Sequence, residues 1–495
     1  MSEEMVKEIA NFSKGLDTDT DPYALPDGAT PDCANVRFGS GSIMRRLGCT
    51  KYNVASLGAD AVRGIYPYYK ADDTRKIMIT WGGYLYTGAK DGTIGAAIKS
   101  GLNAASDFTF TVWLDKCYIT NGIDPVMQYD GATITDLANA RKGKYIADYM
   151  ERIFVANVGP DMQSFVWWSN LGDPATWDAF NFARIATDDG DVITGLAVLP
   201  VGLLVFKNRS TFMVYGDSFD PATSNVQIRK LFSVGCVAPK TIAHYGTSVI
   251  WLAQDGVYSY DGGSLTKLSS RPDGSGIDTL IRKSPRPSAA VGVVRQNEYW
   301  LFMTPFGGTQ NTEAYILDLK TGVWTRDVRA FSVGAAAVLD GRVDSGEFLV
   351  GCEDQGQLYW LETGTTDDGT NISAYWKSKQ DIFGMPGHAK MWRRLAIGQK
   401  KSGPAVAVDY VIDYGAVAGT INVQSTQGLG CWGDGGTWGD GGTWNAAVPI
   451  RLIQSFPQGV IGRAAQFNIR MNDDVSDSGI TSMSIFYRPK RQLKG

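Results

Sequence analysis

The sequence predicts an all-β chain: a β-propeller of about seven blades, with six to eight allowed, followed by a C-terminal β-sandwich-like domain. Three observations lead there. Glycine is abundant, 58 of 495 residues, and aromatics reach 11%, with 14 Trp and 22 Tyr, a composition suited to short strands joined by tight turns. A strand–turn–strand pattern recurs every forty-odd residues. That rhythm then stops near residue 365.

Before the repeats comes a polar, turn-rich stretch, FSKGLDTDTDPYALPDGATPDCANVRFGSGSIMRRLG, from Phe12 to Gly48. Its prolines Pro22, Pro26 and Pro31 limit its conformations, and it ends in a short apolar, arginine-tipped hairpin. Residues 1–59 are therefore expected to form an extended N-terminal arm and hairpin, suited to lying across a neighbouring molecule. Deleting residues 1–48 is expected to leave the propeller folded and to abolish assembly.

The repeats fill residues 60–364. KIMITWGGYLYTG (Lys76–Gly88) places Ile77, Ile79 and Trp81 on one face, turns at Gly82-Gly83 and returns through Tyr84-Leu85-Tyr86. Glycine pairs supply the positive φ angles of a tight hairpin. The pattern is rewritten at Lys116–Gly131 and Ser248–Gly263, more loosely at Leu203–Gly216 and Glu347–Leu361, and at greater length over Tyr299–Asp327. Taking the aromatic that closes each hairpin, Tyr86 to Tyr129 is 43 residues and Tyr129 to Tyr215 is 86. The copy missing between them falls at SFVWWSN, which contains Trp168. Tyr260, Tyr315 and Tyr359 follow at 45, 55 and 44. A period of 40–50 residues built of short strands marks propeller blades; unrelated meanders sharing Tyr-Asp-Gly turns are the alternative.

A polar linker, Thr363–Asn371, opens the last region, 365–495. Five longer alternating runs follow without the blade period: AYWKSKQDIF, KMWRRLAIGQ, AVAVDYVIDYG, AAQFNIRMN and TSMSIFYRP. They suggest a β-sandwich-like domain. A Trp/Gly-rich loop at 430–445 interrupts them, with Trp432, Trp438 and Trp444 spaced six apart. Glycine weakens strands, so this is read as a loop whose tryptophans either fold back on their own domain or dock on a neighbouring subunit.

Composition excludes several roles. With a net charge of −4 the chain lacks the basic excess of a DNA-gripping protein. Its basic clusters, Arg45–Arg46 among them, read as solvated or interface charges. Six scattered cysteines without C-x-x-C spacing fit neither a zinc site nor a disulfide framework and are expected to be free and buried. Met1-Ser-Glu-Glu does not resemble a signal peptide. The longest apolar run, Ile193–Phe206, is too short to span a bilayer and reads as strand–turn–strand, so no membrane segment is expected.

Chemistry is sparse. The two histidines, His244 and His388, sit in an expected strand and an expected turn, and no G-x-S-x-G elbow or phosphate loop accompanies them. Asp17, Asp19 and Asp21 have the alternate spacing of a calcium loop, but Pro22 and Gly28 stand where glycine and glutamate are required. SNLGDPATW (Ser169–Trp177) misplaces the aspartate and glycine of a sialidase Asp-box. No catalytic, metal or cofactor residues are assigned, and no enzymatic activity is expected.

The pattern G-L-D-T-D-x-D-P-x-x-L-P-D-G-x-x-P-D-x-x-N-V-R-F-x-x-G-x-I-x-x-R-x-G, from Gly15 to Gly48, resembles the start of tail hub or nozzle proteins of short-tailed bacteriophages, also called packaged-DNA stabilisation proteins. WWSNLGDPATWDAFNFA (Trp167–Ala183), AYWKSKQDIFGMPGHAKMWRRL (Ala374–Leu395) and the W-G-D-G-G-T loop are similar to later parts of the same family. The resemblance implies a structural virion protein, made in the host bacterial cytoplasm and carried in the tail. Six copies would form a ring below the portal and adaptor, with a tail fibre or needle beneath. Double-stranded DNA would pass through the lumen without specific binding, which mild acidity suits because fixed positive charge would hold phosphates. Trp432, Trp438, Trp444, Arg45 and Arg46 are the candidate subunit-interface residues. The alternatives are a carbohydrate-binding or glycan-cleaving propeller, with those tryptophans stacking sugars, and a kelch-like peptide-binding scaffold.

Overall fold

The computed structural model describes residues 3–220, 223–339, 347–400, 406–423, 450–471 and 479–490. Seven antiparallel sheets stand in a ring: six span 62–99, 109–137, 143–184, 193–232, 243–267 and 291–328, and the seventh is built from two distant parts of the chain. The fold is thus a seven-bladed propeller. Each expected repeat contains the second and third strands of one blade, Tyr299–Asp327 reaching into the fourth as well, and the aromatics that set the period all lie on third strands. The reason for the repeated Tyr-Asp-Gly is local. Tyr129 and Tyr260 each donate their hydroxyl to the carbonyl of the turn glycine two residues on, at 2.8 and 2.9 Å. Asp130 and Asp261 accept from the amides of Thr133 and Ser264, both at 2.7 Å. One residue triplet therefore ends a strand and closes its turn.

Blades pack through apolar side chains facing their neighbours. Phe206 of blade four meets Trp251 of blade five at 5.0 Å between ring centroids, and Trp300 of blade six meets Phe348 of blade seven at the same distance. Large flat rings suit the wedge-shaped gaps of a ring of sheets, since each buries 150–250 Å².

Closure of the ring is not local. Blade seven takes three strands from Ala335–Leu339, Glu347–Gly351 and Leu358–Leu361, and its outer strand from Cys49–Lys51 near the other end of the chain. A break in the ring would expose strand edges to water or to other chains; this clasp removes it.

The N-terminal arm is the main correction to the sequence reading. Residues 3–46 do not extend away from the molecule. Met5–Ile9 pairs with Ile480–Pro489, Asp32–Ala34 pairs with Ala374–Lys377, and the hairpin Val36–Gly39/Ser42–Arg45 continues the sheet that holds Ile480–Pro489. These strands complete a two-sheet sandwich whose remaining strands lie between 374 and 489. Trp376 and Phe467 from one sheet interleave with Trp392, Ile485 and Tyr487 from the other, and Ile9, Phe12 and Ile43 enter the same core. The propeller is thus an insertion between the first and last strands of the sandwich. The expected linker is structured too: Thr366–Asp367 and Thr370–Asn371 form a small hairpin against the clasp strand.

Removing residues 1–48 would strip Ile9, Phe12, Leu16, Val36 and Ile43 from two cores, at about 2 kcal/mol each. That sum is comparable with the entire stability of a domain. The expected outcome of this deletion, by circular dichroism and calorimetry, is loss of the sandwich and aggregation; a truncated chain melting cooperatively at the parent temperature would contradict the architecture.

Candidate functional site

Two places concentrate polar side chains: the seam between sandwich and propeller, and the propeller axis. The seam uses the residues of the N-terminal signature one by one. Gly15 has φ +73° and lies so close to blade six that a Cβ would run into Val323 and the carbonyl of Trp324. Asp17 accepts from the amide of Gly276 at 3.0 Å, and Asp19 accepts from the amides of Asp278 and Thr279, both at 2.8 Å. Two of the three aspartates with calcium-like spacing are therefore spent on backbone donors between blades five and six, and the third, Asp21, accepts from the amide of Tyr23 at 2.9 Å. Asn35 sits at φ 58°, donates to the carbonyl of Ser373 at 2.7 Å, and accepts from Arg46 Nε and the Val328 amide, each at 2.9 Å.

Beneath Asn35 lies a buried ionic cluster. Arg37 grips Asp327 with two nitrogens, at 2.6 and 2.9 Å, and reaches Glu362 at 2.9 Å. Arg46 holds both oxygens of Asp367, at 2.8 and 2.6 Å, and Arg329 approaches Asp327 at 3.0 Å. Asp327 is wholly buried. Burial works against its charge, yet Arg37, Arg329 and Arg46 hold its carboxyl at about 2. Asp367 is also lowered, the pull of Arg46 outweighing the cost of burial. Burial, with repulsion from Arg46, lowers Arg329.

This placement corrects the expectation for Arg45 and Arg46. Both are buried inside their own chain, Arg45 with Nη2 donating to the carbonyl of Thr365 at 3.0 Å. Neither guanidinium is offered to a second copy. Trp432, Trp438 and Trp444 lie outside the described residues. Sequence reading missed Asp327, Arg329, Glu362 and Asp367. Nothing in their local spacing signals that they meet a segment about 300 residues earlier.

The axis is a cavity of about 1090 Å³ walled by the innermost strands. At its mouth Lys240, from the loop entering blade five, reaches Asp107, from the loop entering blade two, at 2.6 Å. Blades two and five are three apart in a ring of seven, so this ion pair crosses the axis. Lys240 also donates to the carbonyl of Gly334 at 3.0 Å, and Arg63 approaches Asp107 at 3.8 Å. Deeper, Thr111 donates to Asp148 at 2.5 Å. His244, expected on a strand, lies on the wall. Crowding by that wall lowers its pKa, partly opposed by Asp148. A single Lys–Asp pair spans the mouth, so the axis is far too narrow for duplex DNA.

The remaining reactive groups are embedded in the fold. Cys33, Cys49, Cys117, Cys236 and Cys352 are free and buried; burial pushes Cys33, Cys49, Cys236 and Cys352 up to about 12, leaving them as neutral thiols. Among the described residues no three His, Cys, Asp or Glu side chains gather to hold a metal ion.

Replacing Asp327 with Asn should cost about 3–5 kcal/mol, because buried guanidiniums lose their counter-charge. Urea unfolding at pH 7 reads this directly. A carboxyl held below its usual value contributes stability that is fully present above pH 4. The gap between parent and Asp327→Asn should therefore narrow as pH falls from about 4 to about 2; a gap unchanged across that window would refute the assignment.

No family model matches the chain, and no curated protein matches it. Among solved structures, this chain is similar to virginiamycin B lyase from Staphylococcus aureus, at 11% identity over 62% of this chain and 97% of that one, with a TM-score of 0.42. The Neurospora crassa Pan2 WD40 domain aligns at 9% identity over 65% of this chain and 96% of that one, TM-score 0.38. YCF48 bound to D1 peptide aligns at 10% identity over 63% and 98%, TM-score 0.37.

Proposed function

We propose that this chain is a structural component of a short-tailed bacteriophage tail: a hub or nozzle subunit, without catalytic activity, that assembles in six copies below the portal and adaptor and continues the path of genome release. One observation carries the reading. The signature that resembles the tail hub and nozzle family, Gly15 to Gly48, is used throughout as architecture. Gly15 allows close approach, Asp17 and Asp19 bond backbone amides, and Leu16, Val36 and Ile43 enter cores. Arg37 and Arg46 hold the ionic cluster. A segment spent on joining two domains into one body suits a part that bears load.

On this reading the DNA path runs between subunits and not along the propeller axis, whose mouth is crossed by Lys240 and Asp107. The ring would reside in the virion tail after assembly in the bacterial cytoplasm.

Negative-stain microscopy of the purified chain, alone and mixed with portal and adaptor proteins of short-tailed phages, tests the proposal. Sixfold rings are expected, either spontaneously or on the portal–adaptor template. Single particles in every mixture would defeat it.

A further inference from the structure

An antiparallel four-stranded meander puts its first and third connections on one face and its second on the other. On the first of these faces, blades two to four expose apolar side chains. Leu114 is 67% and Phe180 76% exposed, and Met150, Leu171 and Val201 are exposed beside them in the ring. Contact between Gly172, which donates to the carbonyl of Glu151 at 2.9 Å, ties the loop carrying Leu171 to the turn carrying Met150. The described connections of this face, residues 114–115, 130–133, 150–151, 169–181, 200–201, 216–220 and 223–226, hold seven Asp or Glu and no Lys or Arg, with Lys70 of blade one bordering them beside Gly131.

Two of these turns are built against backbone preference. Leu114-Asp115 and Met150-Glu151 each link paired strands through two residues, and all four have positive φ, between 46° and 58°. Such hairpin turns favour Asn-Gly or Asp-Gly. A leucine and a methionine are held there instead, each exposed and followed by an exposed acid, of which Asp115 also accepts from the amide of Ala71 at 3.1 Å.

The sandwich carries the opposite surface. Arg393, Arg463 and Lys490 are exposed at one end of strand Lys390–Gln399: Gly462 pairs with Lys390, and the Lys490 amide donates to the carbonyl of Ala389 at 2.8 Å. None of these three side chains enters an ion pair among the described residues. Ile453, 52% exposed, lies on the adjoining edge strand Ile450–Ser455.

We propose that these surfaces are the two halves of a contact between copies of this chain: the acidic, apolar face of blades two to four receives the basic end of the next subunit's sandwich. Unlike surfaces repeating head to tail form a heterologous interface, which closes into a ring when the rotation permits. Opposite charges would set register and orientation, and the apolar side chains would supply the dehydrated centre. This inference rests on the ring reading above and adds which surfaces meet.

Charge reversal tests it, read by mass photometry and negative-stain microscopy under conditions where the parent forms rings. Asp115→Lys with Glu151→Lys, and separately Arg393→Glu with Arg463→Glu, should each abolish ring formation. An equimolar mixture of the two should restore rings, because each reversed surface then meets a complementary one. Leu114→Asn with Met150→Asn should raise the melting temperature of the protomer, since Asn accepts positive φ, while weakening assembly at least tenfold; a merely structural role would not separate those effects. Rings insensitive to the reversals, or a mixture that fails to reassemble, would overturn the contact and leave the ring reading standing. Reversals that spare self-assembly but abolish capture by the adaptor would assign the face to a different protein and equally overturn it. A parent chain that never forms rings, with or without portal and adaptor, would remove both.

Discussion

Asp327 is a fully buried carboxylate that three guanidiniums approach, and the arrangement of the molecule follows from keeping it satisfied. An isolated buried charge is expensive, and only well-formed ion pairs and hydrogen bonds offset the loss of water. The partners come from far apart in sequence: Arg37 and Arg46 from the N-terminal signature, Arg329 from just beyond blade six, Glu362 and Asp367 from the end of blade seven onward. Arg37 binds Asp327 and Arg46 binds Asp367 bidentately, and Arg329 and Glu362 join these pairs. Losing the N-terminal hairpin, the sixth blade or the hairpin after the seventh would therefore leave buried charges without their partners, which couples the three regions at the seam.

The clasp strand works by the same logic in backbone form. Cys49–Lys51 lies only a few residues beyond Arg46 and completes blade seven, so the segment that satisfies the ion cluster also closes the ring. Sandwich and propeller are consequently coupled at two adjacent points, one electrostatic and one through strand pairing. Because the sandwich uses both ends of the chain, its core cannot be finished until the intervening propeller has been made. Contacts of such long sequence separation form late and slowly.

Two adjacent couplings of this kind join sandwich and propeller through both side-chain and backbone contacts. The axis of the propeller is correspondingly not a wide passage: its mouth is bridged from wall to wall by Lys240 and Asp107, and its walls hold polar groups already bonded to one another. The exposed apolar and charged features lie instead on the exterior, where acidic loops with exposed apolar tips and a basic sandwich end stand on different parts of the molecule.

The sequence by itself determined the blades. Glycine turns, alternating strands and a recurrent closing aromatic are local features whose period survives in a single chain, so the ring of seven, the strand hairpins and the five long C-terminal runs were all legible. The resemblance of Gly15–Gly48 marked that stretch as distinctive without saying what it does. Only the tertiary structure decided that this supposed arm is sandwich and clasp, that Arg45 and Arg46 face inward, and that Asp17 and Asp19 bond the loop before blade six. The physical reason is range. A turn is dictated by neighbours a few residues away, whereas the value of Arg46 depends on Asp367, more than 300 residues along the chain, and no pattern in a single sequence records which distant charge will neutralise it.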